Sequence, residues 1–172
     1  MTATAKPAPE EYAPDYGKYI SLVPTGDLIG HLESQAAETA ALLRGLPAEK
    51  GDFRYAEGKW SVKELVLHII DMERVFAYRA LCIGRGDATP LPGVEQDDYV
   101  PNCNAANRTL TDLADEFEAV RRATVLLLRG FDEAAWSRTG TASDNRITAR
   151  ALAHIIAGHE LHHLGILRER YL

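Results

Sequence analysis

The chain has 172 residues, 46% of them hydrophobic and 26% charged, with a formal net charge of −6. That is the profile of one soluble globular domain long enough to bury a real core. The acidic balance excludes a nucleic-acid partner, since Arg121-Arg122 and Arg168-Glu169-Arg170 are too short and mixed to make a basic face and read as solvated helix surface. No apolar run approaches the roughly 18 residues of a membrane span, so no membrane partner is expected. The start MTATAKPAPEEYAP has no apolar leader core. Cys82 and Cys103 fit neither a CxxC site nor a disulfide framework, so two free thiols and a cytoplasmic protein are expected.

Residues 1–16 are rich in Ala, Pro and Glu and read as a flexible arm before a domain spanning 17–172. The first helix is predicted from about Gly26 to Leu43, capped by Thr25, with Leu28, Leu32, Ala36, Ala40 and Leu43 along one face. Ser61-Val62-Lys63-Glu64 is a capping box, and Trp60 with Leu65 makes its hydrophobic staple, opening a second helix that runs to Gly84. The third runs from Leu110, capped by Thr109, to Gly130, and carries Leu113, Phe117, Val120, Thr124 and Leu127 on one stripe. A short helical turn is expected around Asp132–Trp136, and the fourth helix begins near Thr148. No strand pattern of useful length is present. These elements specify an all-α protein, a four-helix bundle.

Two connections, Gly84 to Arg108 and Gly130 to Ile147, are long for a bundle. Such loops often shape a pocket, and a long crossover lets consecutive helices run parallel.

The chemistry concentrates in His159-Glu160-Leu161-His162-His163. On a helix advancing about 100° per residue, His159 and His163 both fall within about 20° of Leu152, at the centre of the core-facing stripe. His154 points away, and His162 lies at the edge. On the second helix Leu65, Ile69, Met72 and Phe76 face inward and His68 stands at their border. His31, next to the stripe member Leu32, gives no reason to be a ligand. A lone inward histidine is commonly a satisfied core residue. Two at a spacing of four with a third on a facing helix point instead to a His₃ metal site, because no matching inward carboxylates are evident to satisfy them.

The letters H-E-x-x-H also spell a zinc-protease signature. That reading fails, because only nine residues follow His163 and none can supply the downstream third ligand. A di-iron bundle fails too, for want of a second Glu-x-x-His unit and further inward glutamates. Asp71, three residues after His68, and Glu160 are candidates to orient the ligands. Tyr55, Trp60 and Tyr99 could line the mouth of the site.

Gly58-Lys59-Trp60-Ser61-Val62-Lys63-Glu64 followed by His68-Ile69-Ile70-Asp71, with Ala157-Gly158-His159-Glu160-Leu161-His162-His163 near the end, resembles the DinB/YfiT-like superfamily of metal-binding four-helix bundles. The resemblance spans Tyr19 to Tyr171. It implies an up-down-down-up course with the long crossover between helices two and three. It also implies zinc or nickel on three histidines that map onto His68, His159 and His163, and a homodimer. Members of the family include thiol-dependent S-transferases and isomerases. The activity so implied is a metal-dependent S-transferase or hydrolase acting on a small molecule, with a low-molecular-weight thiol as substrate or partner. The rival expectation is a non-catalytic, stress-associated dimer whose metal only holds the bundle shut.

Overall fold

The structure, a computed structural model, describes residues 5–172. In chain order the elements are α1 (Gly17–Ile20), α2 (Leu28–Gly45), α3 (Val62–Gly84), α4 (Gln96–Tyr99), α5 (Leu110–Arg129), α6 (Glu133–Ser137), β1 (Thr139–Ala142), β2 (Asn145–Thr148) and α7 (Ala149–Arg170), with 3-10 turns between several of them. The long helices α2, α3, α5 and α7 form the bundle: α5 lies against α2 and α3, and α3 against α7.

Each long helix starts where a side chain satisfies its free amides. Ser61 Oγ accepts from the Glu64 amide at 3.2 Å while Glu64 Oε2 accepts from the Ser61 amide at 2.6 Å, which completes the expected box on α3. Thr109 and Asp112 make the same reciprocal pair on α5. Thr148 Oγ1 accepts from the Ala151 amide to open α7. On α2 the cap is Asp27, not Thr25, because Asp27 Oδ1 reaches the Gly30 amide at 3.1 Å. The short helix α6 is likewise capped by Asp132.

Two expectations are corrected. The connection before α7 contains an antiparallel hairpin, pairing Thr139 with Thr148 and Ala142 with Asn145. Its turn holds Ser143 and Asp144 at φ 50° and 61°, a left-handed geometry more often signalled by Asn-Gly. The arm is the second case. Residues 1–4 lie outside the described residues, but from Pro7, which is buried, the segment is fastened to the bundle. Glu11 accepts from Thr148 Oγ1 at 2.8 Å and from Arg150 Nη2 at 2.5 Å. Arg150 is nearly inaccessible, and its charge needs this carboxylate. That strap, with α1, covers the side of α7 expected to face solvent, so every residue from Ala149 to Glu160 is buried, His154 included.

The interior is layered. One apolar cluster gathers Leu28, Leu32, Phe76, Ile83, Leu128 and Ile155. A second gathers Leu43, Leu65, Ile70, Phe117, Leu164 and Leu167 at the other end. Between them, at mid-height on all four long helices, lie buried polar residues: Gln35 and Thr39, Glu73, Arg121 and Thr124, and His159, Glu160 and His163. Polar side chains in such a place need partners or a function.

Candidate metal centre

His68 comes from α3, and His159 and His163 come from α7 one turn apart. All three are buried, and one ring nitrogen from each lies within 4.8 Å of the others. His159 Nε2 stands 3.1 Å from His68 Nε2 and 3.1 Å from His163 Nε2. Two imidazole nitrogens bound to one ion at about 2.1 Å in a tetrahedral sphere sit about 3–3.5 Å apart. The donor set therefore fits a divalent transition metal in type and number, and in the spacing of His159 to each of the other two.

Electrostatics favour the same use. Burial pushes the His68 imidazole down to about 4 and the His163 imidazole down to about 3. Burial, reinforced by the neighbouring His163, His68 and His162, holds His159 well below its ordinary value. All three rings are neutral near pH 7, the state in which an imidazole offers a lone pair. His163 meets the cluster through Nε2, 3.1 Å from His159 Nε2, while its Nδ1 is buried with no protein partner.

Aromatic rings wall the cluster. Trp60 lies 4.9 Å from His68 between ring centres, and Phe76 and Tyr19 meet His159 edge-on at 5.7 and 5.3 Å. His163 is the histidine that reaches a cleft of about 290 Å³, lined also by Tyr55, Lys59, Trp60, Asp97 and Tyr171. The Tyr171 hydroxyl donates to the Trp60 carbonyl at 2.8 Å and fixes that wall to the end of α7. Tyr55 and Trp60 thus stand where the sequence put them, while Tyr99 is 47% exposed and outside the lining.

The two proposed orienting carboxylates lie elsewhere. Asp71 pairs with Arg74 at 3.3 Å, and Glu160 turns away from the rings to accept from Thr39 at 2.6 Å and Arg121 at 2.8 Å. Arg121 is the largest correction. Read as solvated surface, it is 1% exposed and clamps Glu73 through Nε and Nη2, both at 2.8 Å. Inward carboxylates therefore do exist, on α3 and α7, and a guanidinium from α5 takes them. The signal was present: Arg121 follows Phe117 by four and precedes Thr124 by three, in phase with the apolar stripe.

The sequence pattern of the DinB superfamily matches residues 31–167, a stretch that includes all three histidines. The chain belongs to the DinB superfamily. Among its relatives, the uncharacterized protein YjoA of Bacillus subtilis (strain 168) is 26% identical over 146 residues, 83% of this chain and 86% of YjoA. The crystal structure of YjoA superposes with a TM-score of 0.60, covering 83% of this chain and 87% of that one. YfiT from Bacillus subtilis, described as a probable metal-dependent hydrolase with an unusual four-helix bundle topology, superposes with a TM-score of 0.74 at 16% identity, over 96% of this chain and 90% of its own. A mycothiol-dependent maleylpyruvate isomerase shares the fold with a TM-score of 0.65 at 13% identity, over 84% of this chain and 61% of the isomerase. Fold membership is what these likenesses carry. Among the described residues, no helix is long and apolar enough to cross a membrane.

Proposed function

We propose that this DinB-superfamily protein is a metal-dependent enzyme in which His68, His159 and His163 hold zinc or nickel and a small molecule enters past His163. The reaction class is thiol-dependent S-transfer or hydrolysis, with a low-molecular-weight thiol or its conjugate as substrate. One observation carries the reading: a buried cluster of three neutral imidazoles has a member on the floor of an open cleft. A structural ion calls for a closed sphere of four protein ligands, whereas catalytic sites combine three with an open position. The cluster here comprises three. A divalent ion held there would supply Lewis acidity and lower the pKa of a water or thiol brought to it.

The chain's own residues supply the rest. Tyr55, Trp60 and Tyr171 offer apolar faces to a substrate, and Lys59 and Asp97 place one charge of each sign on the cleft wall. What YfiT and the isomerase are named for is compatible with this reading.

The up-down-down-up course belongs to the same proposal, with Gly84 to Arg108 as the crossover. The pairs Glu33–Arg129 and Arg44–Glu118 support α2 and α5 running in opposite senses. Gln35 to Ala157 and Thr39 to Glu160 support α2 and α7 running in the same sense. The unbridged Cys82 and Cys103 support a reducing, cytoplasmic setting, and exposed Tyr78, Leu81 and Leu126 on α3 and α5 support a homodimer.

The test is a thiol-transfer and hydrolysis assay on untagged, metal-loaded protein beside His68→Ala. Turnover by the wild type that the variant loses supports the reading. Stoichiometric metal with no turnover across thiol and ester substrates would favour a metal that only clamps α3 to α7.

A further inference from the structure

A single guanidinium touches every long helix of the bundle. Arg121 of α5 binds Glu73 of α3 through Nε and Nη2, Glu160 of α7 through the same Nη2, and the Leu32 carbonyl of α2 through Nη1 at 3.0 Å. Thr39 of α2 completes the set by donating to Glu160 Oε1. Glu73, Arg121 and Glu160 are all 3% exposed or less.

Stability alone is a poor reason for such a cluster. Burying one cation with two carboxylates carries a desolvation cost of several kcal/mol per ion, and well-packed apolar replacements often match or exceed such clusters in stability. What apolar packing lacks is direction. A planar guanidinium fixes its partners in angle as well as distance, so α3 and α7 cannot slide past one another without breaking a bond. These two helices carry the three histidines. Glu73 stands little more than one turn beyond His68, and Glu160 lies between His159 and His163.

We propose that Arg121, through Glu73 and Glu160, is the positioning residue of the metal centre: it sets the spacing of α3 and α7, and so the distance of His68 from His159 and His163. The inference rests on the reading of those histidines as metal ligands. Neither carboxylate contacts an imidazole, so the effect passes through the helix backbones. Binding sites held only by loose packing lose their geometry, and removing the groups that orient metal ligands typically weakens metal affinity about 10- to 100-fold.

The experiment uses Co(II) as probe, read by its visible d–d absorption and by the dissociation constant from competition with a chelator. Two variants are compared with the wild type. In the first, Glu73→Met, Arg121→Met and Glu160→Met are combined, replacing the whole cluster by side chains of similar length. In the second, Thr39→Val alone removes the 2.6 Å hydrogen bond to Glu160. The expected result for the triple variant is wild-type helical content, a shifted and broadened Co(II) spectrum, and binding about 10- to 100-fold weaker. Thr39→Val should keep the fold and shift the spectrum in the same direction by less. A triple variant that folds and binds Co(II) with the wild-type spectrum and affinity would overturn the proposal. Should the triple variant fail to fold, an unchanged spectrum in Thr39→Val would overturn it equally. Failure of the wild type itself to bind Co(II) would instead overturn the reading of the histidines on which the proposal stands.

Discussion

Gly158 lies directly beneath the Tyr19 backbone: a Cβ at this position would come within 2.1 Å of the Tyr19 carbonyl oxygen. Because that Cβ is missing, α1 settles onto α7 one residue before His159, and the Tyr19 ring covers both His159 and His162 at 5.3 Å. The clash would be with backbone, which no rotamer change relieves. Gly158→Ala is therefore expected to lift α1, at a cost of about 1–3 kcal/mol. Thermal unfolding and amide exchange across residues 17–23 check this, with faster exchange expected there than in the centre of α5.

The N-terminal strap gives a second outcome with a defined pH sign. Hydrogen bonds from Arg150, the Ala8 amide and Thr148 outweigh the burial that opposes them and hold the Glu11 carboxyl below its ordinary 4.5. A carboxyl with a lowered folded pKa stabilises above its unfolded value, and that contribution is lost as pH falls through the folded one. Glu11→Gln should cost about 1–3 kcal/mol at pH 7 and much less at an acid pH below the folded value of this carboxyl. Limited proteolysis of residues 5–16 at the two pH values is the measurement.

The histidines predict a slope of the same direction at higher pH in protein stripped of metal. The unfolded His68 takes up a proton near its ordinary 6.5, but the folded one only near 4, because of burial. Between those values the unfolded state binds more protons, so stability is lost as pH falls from 6.5 toward 4. For His68 alone the loss amounts to something on the order of 3 kcal/mol. Chemical denaturation of chelator-treated protein from pH 7 to 4 should show it, and His68→Leu should flatten the curve.

Trp60 offers an optical report on the centre. Its ring lies 4.9 Å from His68, whereas Trp136 packs on Phe131 at 5.5 Å, in the other core cluster. Adding Ni(II) to stripped protein should quench tryptophan emission. The quenching should vanish in Trp60→Phe and survive in Trp136→Phe.

These sites differ in how openly the sequence announced them. The caps at Ser61 and Thr109 are local, each a side chain meeting an amide three residues on, and they were legible at once, as was the start of α7 near Thr148. So was the inward phase of His159 and His163, with His68 at the border of its own stripe, since helical periodicity needs no knowledge of neighbours. Arg121 was not, because its burial depends on carboxylates 48 and 39 residues away on two other helices. The hairpin escaped for a related reason. Its strands are four residues each, and only Ala142, Ile147 and Thr148 are buried. Asp27 displaced Thr25 as the cap of α2 because both residue types cap well, and only the backbone shows which amide is in reach. Glu160 was read as a candidate to orient the ligands, because its actual partners Thr39 and Arg121 belong to helices whose arrangement one helix cannot reveal.

The central claim is that His68, His159 and His163 together hold one divalent metal ion. Elemental analysis of untagged protein, purified without added metal or chelator, tests it most directly. The expected result is close to one equivalent of zinc or nickel per chain, lost in His159→Ala while the helical content is kept. Wild-type protein that carries no stoichiometric metal and takes none up, with His159→Ala indistinguishable from it, would contradict the account.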